Sequence, residues 1–156
     1  MEARRSRRPE AIVAFSDLVR VETRLYNALD AVLREAHGVT LGAFEFLRYI
    51  RAHDSARVAD LAAAFAIGVG ATSKGVDRME ANGWVERLAN PANRRSSLLA
   101  VTAAGERLID LATPTFDTEF ARLTSSVDPA ALAALVQTLG VLRGELESRG
   151  VGQPAG

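Results

Sequence analysis

Between Ser55 and Thr102 the apolar period of the chain changes, and that change limits the possible folds more than any other feature. From Ser55 to Phe65, residues Val58, Leu61, Ala62 and Phe65 recur at three- and four-residue steps, the spacing of a short amphipathic helix. The run AIGVG breaks that pattern, and a second helical run follows from about Gly70 to Asn82, stopped by Gly83. The period then drops to two. WVERLA places Trp84, Glu86 and Leu88 on one face and Val85, Arg87 and Ala89 on the other; NPANRRSS has the composition of an exposed turn; LLAVT resumes an apolar strand. Two short helices across a tight glycine-containing turn, followed by a β-hairpin, predict a helix-turn-helix carrying a two- or three-stranded β-wing.

The side chains in this stretch point to a chemistry. In the second helix Val69, Thr72, Val76 and Met79 share one face, leaving Gly70, Ser73, Lys74, Asp77 and Arg78 on the other. Small and hydrogen-bonding residues near a helix N-terminus suit the DNA major groove, where the backbone must come close and only short donors fit beside base edges. Gly70, Thr72 and Ser73 are therefore candidate DNA contacts, with Lys74 and Arg78 placed to reach phosphates. Arg94, Arg95 and Ser96 at the hairpin tip complete the set, because paired arginines fit a narrow minor groove where negative potential is focused. An arginine pair can also merely solvate a turn; its place directly after a helix-turn-helix favours DNA.

Helices dominate the rest. From about Pro9 to Glu35, Ile12, Phe15, Leu18, Val19, Leu25, Leu29, Val32 and Leu33 mark one apolar stripe, ended by Gly38. A helix of roughly 25 residues spans close to 40 Å, more than a small domain needs for its own core. A second helix follows Thr40, a candidate N-cap, with Phe44, Leu47 and Ile50 inward. Thr102 caps another through Leu108, Leu111, Phe116 and Phe120, with a bend expected at Pro114, and Asp128–Pro129 open a last helix bearing Leu132, Leu135, Val136, Leu139, Leu142 and Leu146. The division expected is a basic flexible tail at 1–8, a dimerisation helix at 9–36, a DNA-binding region at 40–102, dimerisation helices at 103–148 and a disordered tail at 149–156.

Composition narrows the function classes. The 156 residues hold 19 basic and 19 acidic side chains, so basic character is local, in Arg4, Arg5, Arg7 and Arg8 and again from Lys74 to Arg95. The first cluster reads either as a solvated tail or as extra phosphate contact. Cysteine is absent, which excludes disulfides, thiolate metal sites and thiol redox sensing and fits a reducing cytoplasm. MEARRSRRPE lacks the apolar core of a signal peptide, and no stretch approaches the roughly 20 apolar residues of a membrane span. His37 and His53 sit apart without a nucleophile or paired-histidine metal motif, so neither an enzyme nor a metal or other cofactor is expected.

The run TSKGVDRMEANGWVERLANPANRRSSLLAVTAAG resembles the MarR family, with Asp77, Arg78, Met79, Glu80 and Gly83 at the helix positions, Pro91, Arg94 and Arg95 in the wing and Thr102 and Gly105 at the closing turn. The resemblance implies a mainly α fold: a winged helix-turn-helix whose long N- and C-terminal helices interlock between two subunits. It leaves open the alternative that those helices pack only within one chain. Asn90 and Asn93 stand where the family commonly has aspartates, implying a looser wing or arginines freer for phosphate. Gly70 and Gly75 each weaken their helix by about 1 kcal/mol relative to alanine.

The same resemblance implies a cytoplasmic homodimer binding pseudo-palindromic double-stranded DNA, its half-site centres about 10 base pairs apart. Its expected function is transcriptional repression, released by a small aromatic or phenolic effector. Glu22, Tyr26, Phe44, Tyr49 and Trp84 are the candidates to line the effector site. The competing class is a winged-helix module that binds protein and not DNA.

Overall fold

The structure is a computed structural model that describes residues 3–154, with side chains from residue 11 onward. Six helices and two strands occur among the described residues, in the order α1 (Ala3–His37), α2 (Leu41–Ala52), α3 (Val58–Ala64), α4 (Val69–Ala81), β1 (Val85–Ala89), β2 (Ser97–Val101), α5 (Ala103–Leu123) and α6 (Pro129–Ser148). This is the mainly α, winged helix-turn-helix architecture expected, and none of the helices is long and apolar enough to cross a membrane.

Local chemistry sets most boundaries. Gly38, at φ +67°, closes α1, its N–H donating to the Arg34 carbonyl at 3.0 Å. Thr40 then caps α2 by accepting from the Ala43 amide at 3.0 Å, and the Asp30 carboxylate accepts from the Leu41 amide at 2.8 Å. Gly83, at φ +73°, ends α4 in a Schellman turn, with Gly83 N–H on Glu80 and Trp84 N–H on the Met79 carbonyl. Thr102 caps α5 and Asp128 caps α6, the latter through the Ala130 and Ala131 amides, with Pro129 at the first helical position. α5 runs unbroken through Pro114.

Several expectations need correction. α1 starts at Ala3 and not near Pro9: alanine and arginine are strong helix formers, so the segment read as a flexible tail at 1–8 is helical from residue 3. The side chains of Arg4, Arg5, Arg7 and Arg8 lie outside the described residues. α3 starts at Val58 and not Ser55, because Ala56 is buried and its carbonyl accepts from the Leu99 amide at 2.8 Å. That bond stands where a third strand would pair; the sheet itself has two antiparallel strands, in register from Val85 opposite Val101 to Ala89 opposite Ser97. Residues 149–154, read as a disordered tail, include a glycine cap for α6: Gly150 at φ +61° turns the chain, Val151 N–H bonds the Leu146 carbonyl, and the Gln153 amide reaches the Ala63 carbonyl at 3.2 Å.

The core gathers Leu29 and Leu33 of α1, Phe44, Leu47 and Ile50 of α2, Leu61, Val76, Met79, Val85, Leu99 and Ile109. Only the C-terminal third of α1 contributes. Upstream, Ile12, Phe15, Leu18 and Val19 are exposed, and α6 has no buried residue although Val136, Leu139 and Leu142 stand on it. Contiguous exposed apolar faces of this kind call for a covering surface.

Candidate nucleic-acid interface

α3 is entered through Arg57, whose backbone amide and guanidinium both donate to the Asp60 carboxylate at 2.8–2.9 Å. The Arg57 bond holds the Asp60 carboxyl below its usual range. α3 exits through a tight turn in which Ile67 N–H bonds the Ala62 carbonyl. The left-handed residue in that turn is Ala66, at φ +50°, and not the glycine that the sequence offers next door, since Gly68 has φ −58° and serves as N-cap of α4.

α4 turns its two faces as the period requires, with one exchange. Thr72, Val76 and Met79 are buried. Thr72 is therefore withdrawn from the candidate DNA contacts: it is 1% exposed and its hydroxyl donates to the Gly68 carbonyl at 3.1 Å. Val69, expected in the core, is instead 59% exposed. Gly70, Lys74 and Arg78 are exposed and Ser73 is half-buried, so these four candidates lie on the accessible surface of the helix.

Arg87, part of the basic cluster in the sequence, is committed elsewhere. Its guanidinium reaches from β1 back to α4, pairing with Asp77 at 2.7 Å and with Glu80. It fixes the wing base to the helix and neutralises two exposed carboxylates of α4. Lys74, Arg78, Arg94 and Arg95 have no ion-pair partner among the described residues.

The wing is held by its two asparagines. The Asn90 side-chain oxygen accepts from the Ala92 amide and that of Asn93 from the Arg95 amide, both at 3.0 Å, while the Asn90 amide donates to the Ser96 hydroxyl at 3.0 Å. These Asx turns do the local work of an aspartate without its charge, so the loop is closed and the exposed Arg94 and Arg95 are not drawn onto a carboxylate there. Ser96, a candidate contact, is half-buried and its hydroxyl is engaged inside the loop.

Behind α4 lies a cleft of about 1000 Å³, walled by α1, α2, the inner face of α4 and Phe116 and Phe120 of α5. Of the effector-site candidates, Glu22, Tyr26 and Trp84 line it. Phe44 and Tyr49 do not. Phe44 is fully buried, its ring 5.9 Å from that of Phe116, and Tyr49 stacks on His53 at 4.0 Å; aromatic content in α2 does not reveal which side each ring takes. Burial, and next the Asp30 carboxylate, push the Tyr26 hydroxyl above its usual pKa, and burial also raises the carboxyl of Glu45, which shares the wall.

Glu45, Phe46 and the Arg87 clamp escaped the sequence reading. Only the Arg57–Asp60 pair left a local signal, an acid three residues after the helix entry. His37 bonds the Thr115 hydroxyl of α5 at 2.7 Å, and no cluster of three potential metal ligands occurs among the described residues.

Residues 39–97, from α2 to the first residue of β2, match the MarR family model. Over 72 residues the chain is 31% identical to the multiple antibiotic resistance protein MarR of Escherichia coli strain K12, a stretch covering 46% of this chain and 50% of that protein. The match thus spans half the length of that curated relative. The fold resembles Sco3205, a MarR family transcriptional regulator from Streptomyces coelicolor solved in complex with DNA, with TM-score 0.80, 20% identity and coverage of 94% of this chain and 93% of that one. It also resembles CouR from Rhodococcus jostii RHA1 bound to p-coumaroyl-CoA, with TM-score 0.71, 23% identity and coverage of 81% and 88%. At these identities the structural likeness shows a shared fold.

Proposed function

We propose that the chain, whose residues 39–97 match the MarR family model, is a sequence-specific, double-stranded DNA-binding transcription regulator, a cytoplasmic homodimer that represses until a small aromatic or phenolic effector enters the cleft. The observation that carries this reading is electrostatic. Of the five cations between α3 and the end of β2, only Arg87 is paired among the described residues, whereas Lys74, Arg78, Arg94 and Arg95 are exposed and unpaired along one helix and its wing. Such an array fits a phosphate backbone. Gly70 and Ser73 then meet base edges.

The second copy is supported by the uncovered faces of α1 and α6. Burying side chains of the size of Phe15 or Leu142 contributes about 1.5–3 kcal/mol each, and a symmetric partner offers the same faces in return. Two recognition helices related by a two-fold axis then call for a pseudo-palindromic site. An effector between α1, α2 and the back of α4 acts only through its differential affinity for the DNA-binding and released spacings. Sco3205 with DNA and CouR with p-coumaroyl-CoA support both kinds of partner for this fold.

The test is a salt series on duplex DNA. Wild type should bind with steep salt dependence, and Arg94→Ala with Arg95→Ala should weaken binding to every sequence and flatten the slope by about 0.9 for each phosphate no longer neutralised. An unchanged slope removes the wing from the interface, and no salt-sensitive duplex binding by wild type transfers the chain to the protein-binding class.

A further inference from the structure

Val69 is the first residue of α4, and the helical period assigns it to the core with Thr72, Val76 and Met79. It is 59% exposed because the chain bends at Gly68 just before it and the core closes one turn later on Thr72, which is 1% exposed. A β-branched apolar side chain thus stands in water at the leading tip of the helix. Its surroundings offer few side-chain donors. Gly70 has no side chain, Ala71 lines the cleft behind the helix, and the stripe that Val69 heads continues through Ser73 to Asp77, whose carboxylate is held by Arg87. The tip is mostly apolar where a major-groove reader would carry amides or guanidinium groups.

Among the groups that base pairs display in the major groove, the one that such a surface can recognise is the thymine 5-methyl group. We infer that Val69 is a specificity-determining residue that packs against a thymine methyl in each half-site, with Ser73 one turn behind it on the same stripe. The inference rests on the DNA-binding reading above and adds to it a base and an atom. No hydrogen bond is involved, so the discrimination is between thymine and any base lacking the methyl, uracil included.

The experiment begins with full-length protein selecting duplexes from a randomised pool. Each thymine of the selected half-site is then replaced by deoxyuridine, one at a time, and affinities are measured for wild type, Val69→Ala and Val69→Thr. At one position wild type should lose about fourfold, the weight of one apolar group removed from water, while Val69→Ala, already without that packing, should lose nothing there. Val69→Thr keeps the shape but exchanges one of the two methyl groups for a hydroxyl, and should show a smaller loss there than wild type. Since the side chain is exposed, both variants should unfold at the wild-type temperature. Equal losses for wild type and Val69→Ala at every position, or no loss at any, overturn the inference while leaving DNA binding intact. Failure to select any duplex overturns both, and is told apart by the absence of binding before a thymine is replaced.

Discussion

Gly105 lies where the wing base meets α5, and adding a single methyl group there should undo the junction. A Cβ on Gly105 would stand 2.2 Å from the Trp84 carbonyl oxygen, 2.6 Å from Val101 Cγ1 and 3.1 Å from the Trp84 carbonyl carbon. Val101 can turn its side chain away. The Trp84 carbonyl cannot move freely, because it accepts from the Thr102 amide at 3.0 Å while the Thr102 hydroxyl donates to Gly83 at 2.6 Å and accepts from the Gly105 amide at 3.1 Å. Reaching even the 3.0 Å floor of real Cβ contacts requires a shift of about 0.8 Å. That shift stretches the Thr102–Trp84 bond beyond hydrogen-bond range. Overpacking costs about 1–3 kcal/mol and the broken bond about 1 kcal/mol, against a helix-propensity gain of at most about 1 kcal/mol.

Gly105→Ala should therefore cost about 1–3 kcal/mol, read as a lower urea midpoint at a single protein concentration, which holds any self-association fixed. Gly70→Ala is the matched control: nothing lies within 4 Å of its Cβ, so stability should hold or rise by up to about 1 kcal/mol, while DNA binding weakens because a methyl now occupies the approach to the bases. A loss below about 0.5 kcal/mol for Gly105→Ala, or equal effects of the two substitutions, would refute the reasoning.

Ala66→Gly should stabilise the protein by up to about 1 kcal/mol, seen as a thermal midpoint a few degrees higher, because alanine at φ +50° is strained where glycine is not; a lower midpoint would show that the turn relaxes in solution. Arg87→Met should change stability by less than about 1 kcal/mol, since its partners are largely exposed, yet weaken DNA binding at low salt by freeing Asp77 and Glu80; unaltered binding would show that those carboxylates lie away from the phosphates. The hydrogen bond from Arg57 lowers the Asp60 pKa in the folded state, so its contribution is complete above about pH 4, the unfolded range, and is lost as pH falls through the folded value. Asp60→Asn should flatten that acid limb of urea stability, and an identical limb would dismiss the bond.

Which features could be read from the sequence depends on the range of the interactions behind them. Thr40, Gly83, Thr102 and Asp128 mark helix ends through bonds within four residues, so their boundaries were legible. Val69 and Thr72 were not separable by period alone. Both belong to the stripe of Val76 and Met79, and only the bend at Gly68, set by α3 packing, sends one out and the other in. Arg87 counted as one more cation until the fold brought β1 against Asp77 and Glu80, ten and seven residues upstream. Phe44 and Tyr26 carry equally aromatic signals, yet one is sealed against Phe116 and the other opens on the cleft.

The cleft and the proposed reading surface are two sides of one helix. Thr72, Gly75 and Met79 face inward while Gly70, Ser73 and Lys74 face outward, so an occupant bears on the back of the element that meets DNA. A Cβ on Gly75 would meet the Phe46 ring at 3.4 Å, an ordinary contact, so α2 and α4 leave room there for one methyl group, and Arg87 ties the outer edge of α4 to β1. Trp84 lines the cleft with its side chain while its carbonyl holds Thr102 at the entry to α5. In the proposed dimer, moving α4 and the wing together about the Trp84–Thr102–Gly105 junction would change the spacing of the two recognition helices. Reversing a 99:1 preference for the DNA-binding spacing requires about 5.5 kcal/mol of differential affinity. An effector that fits the cleft equally well in both spacings releases nothing, however tightly it binds.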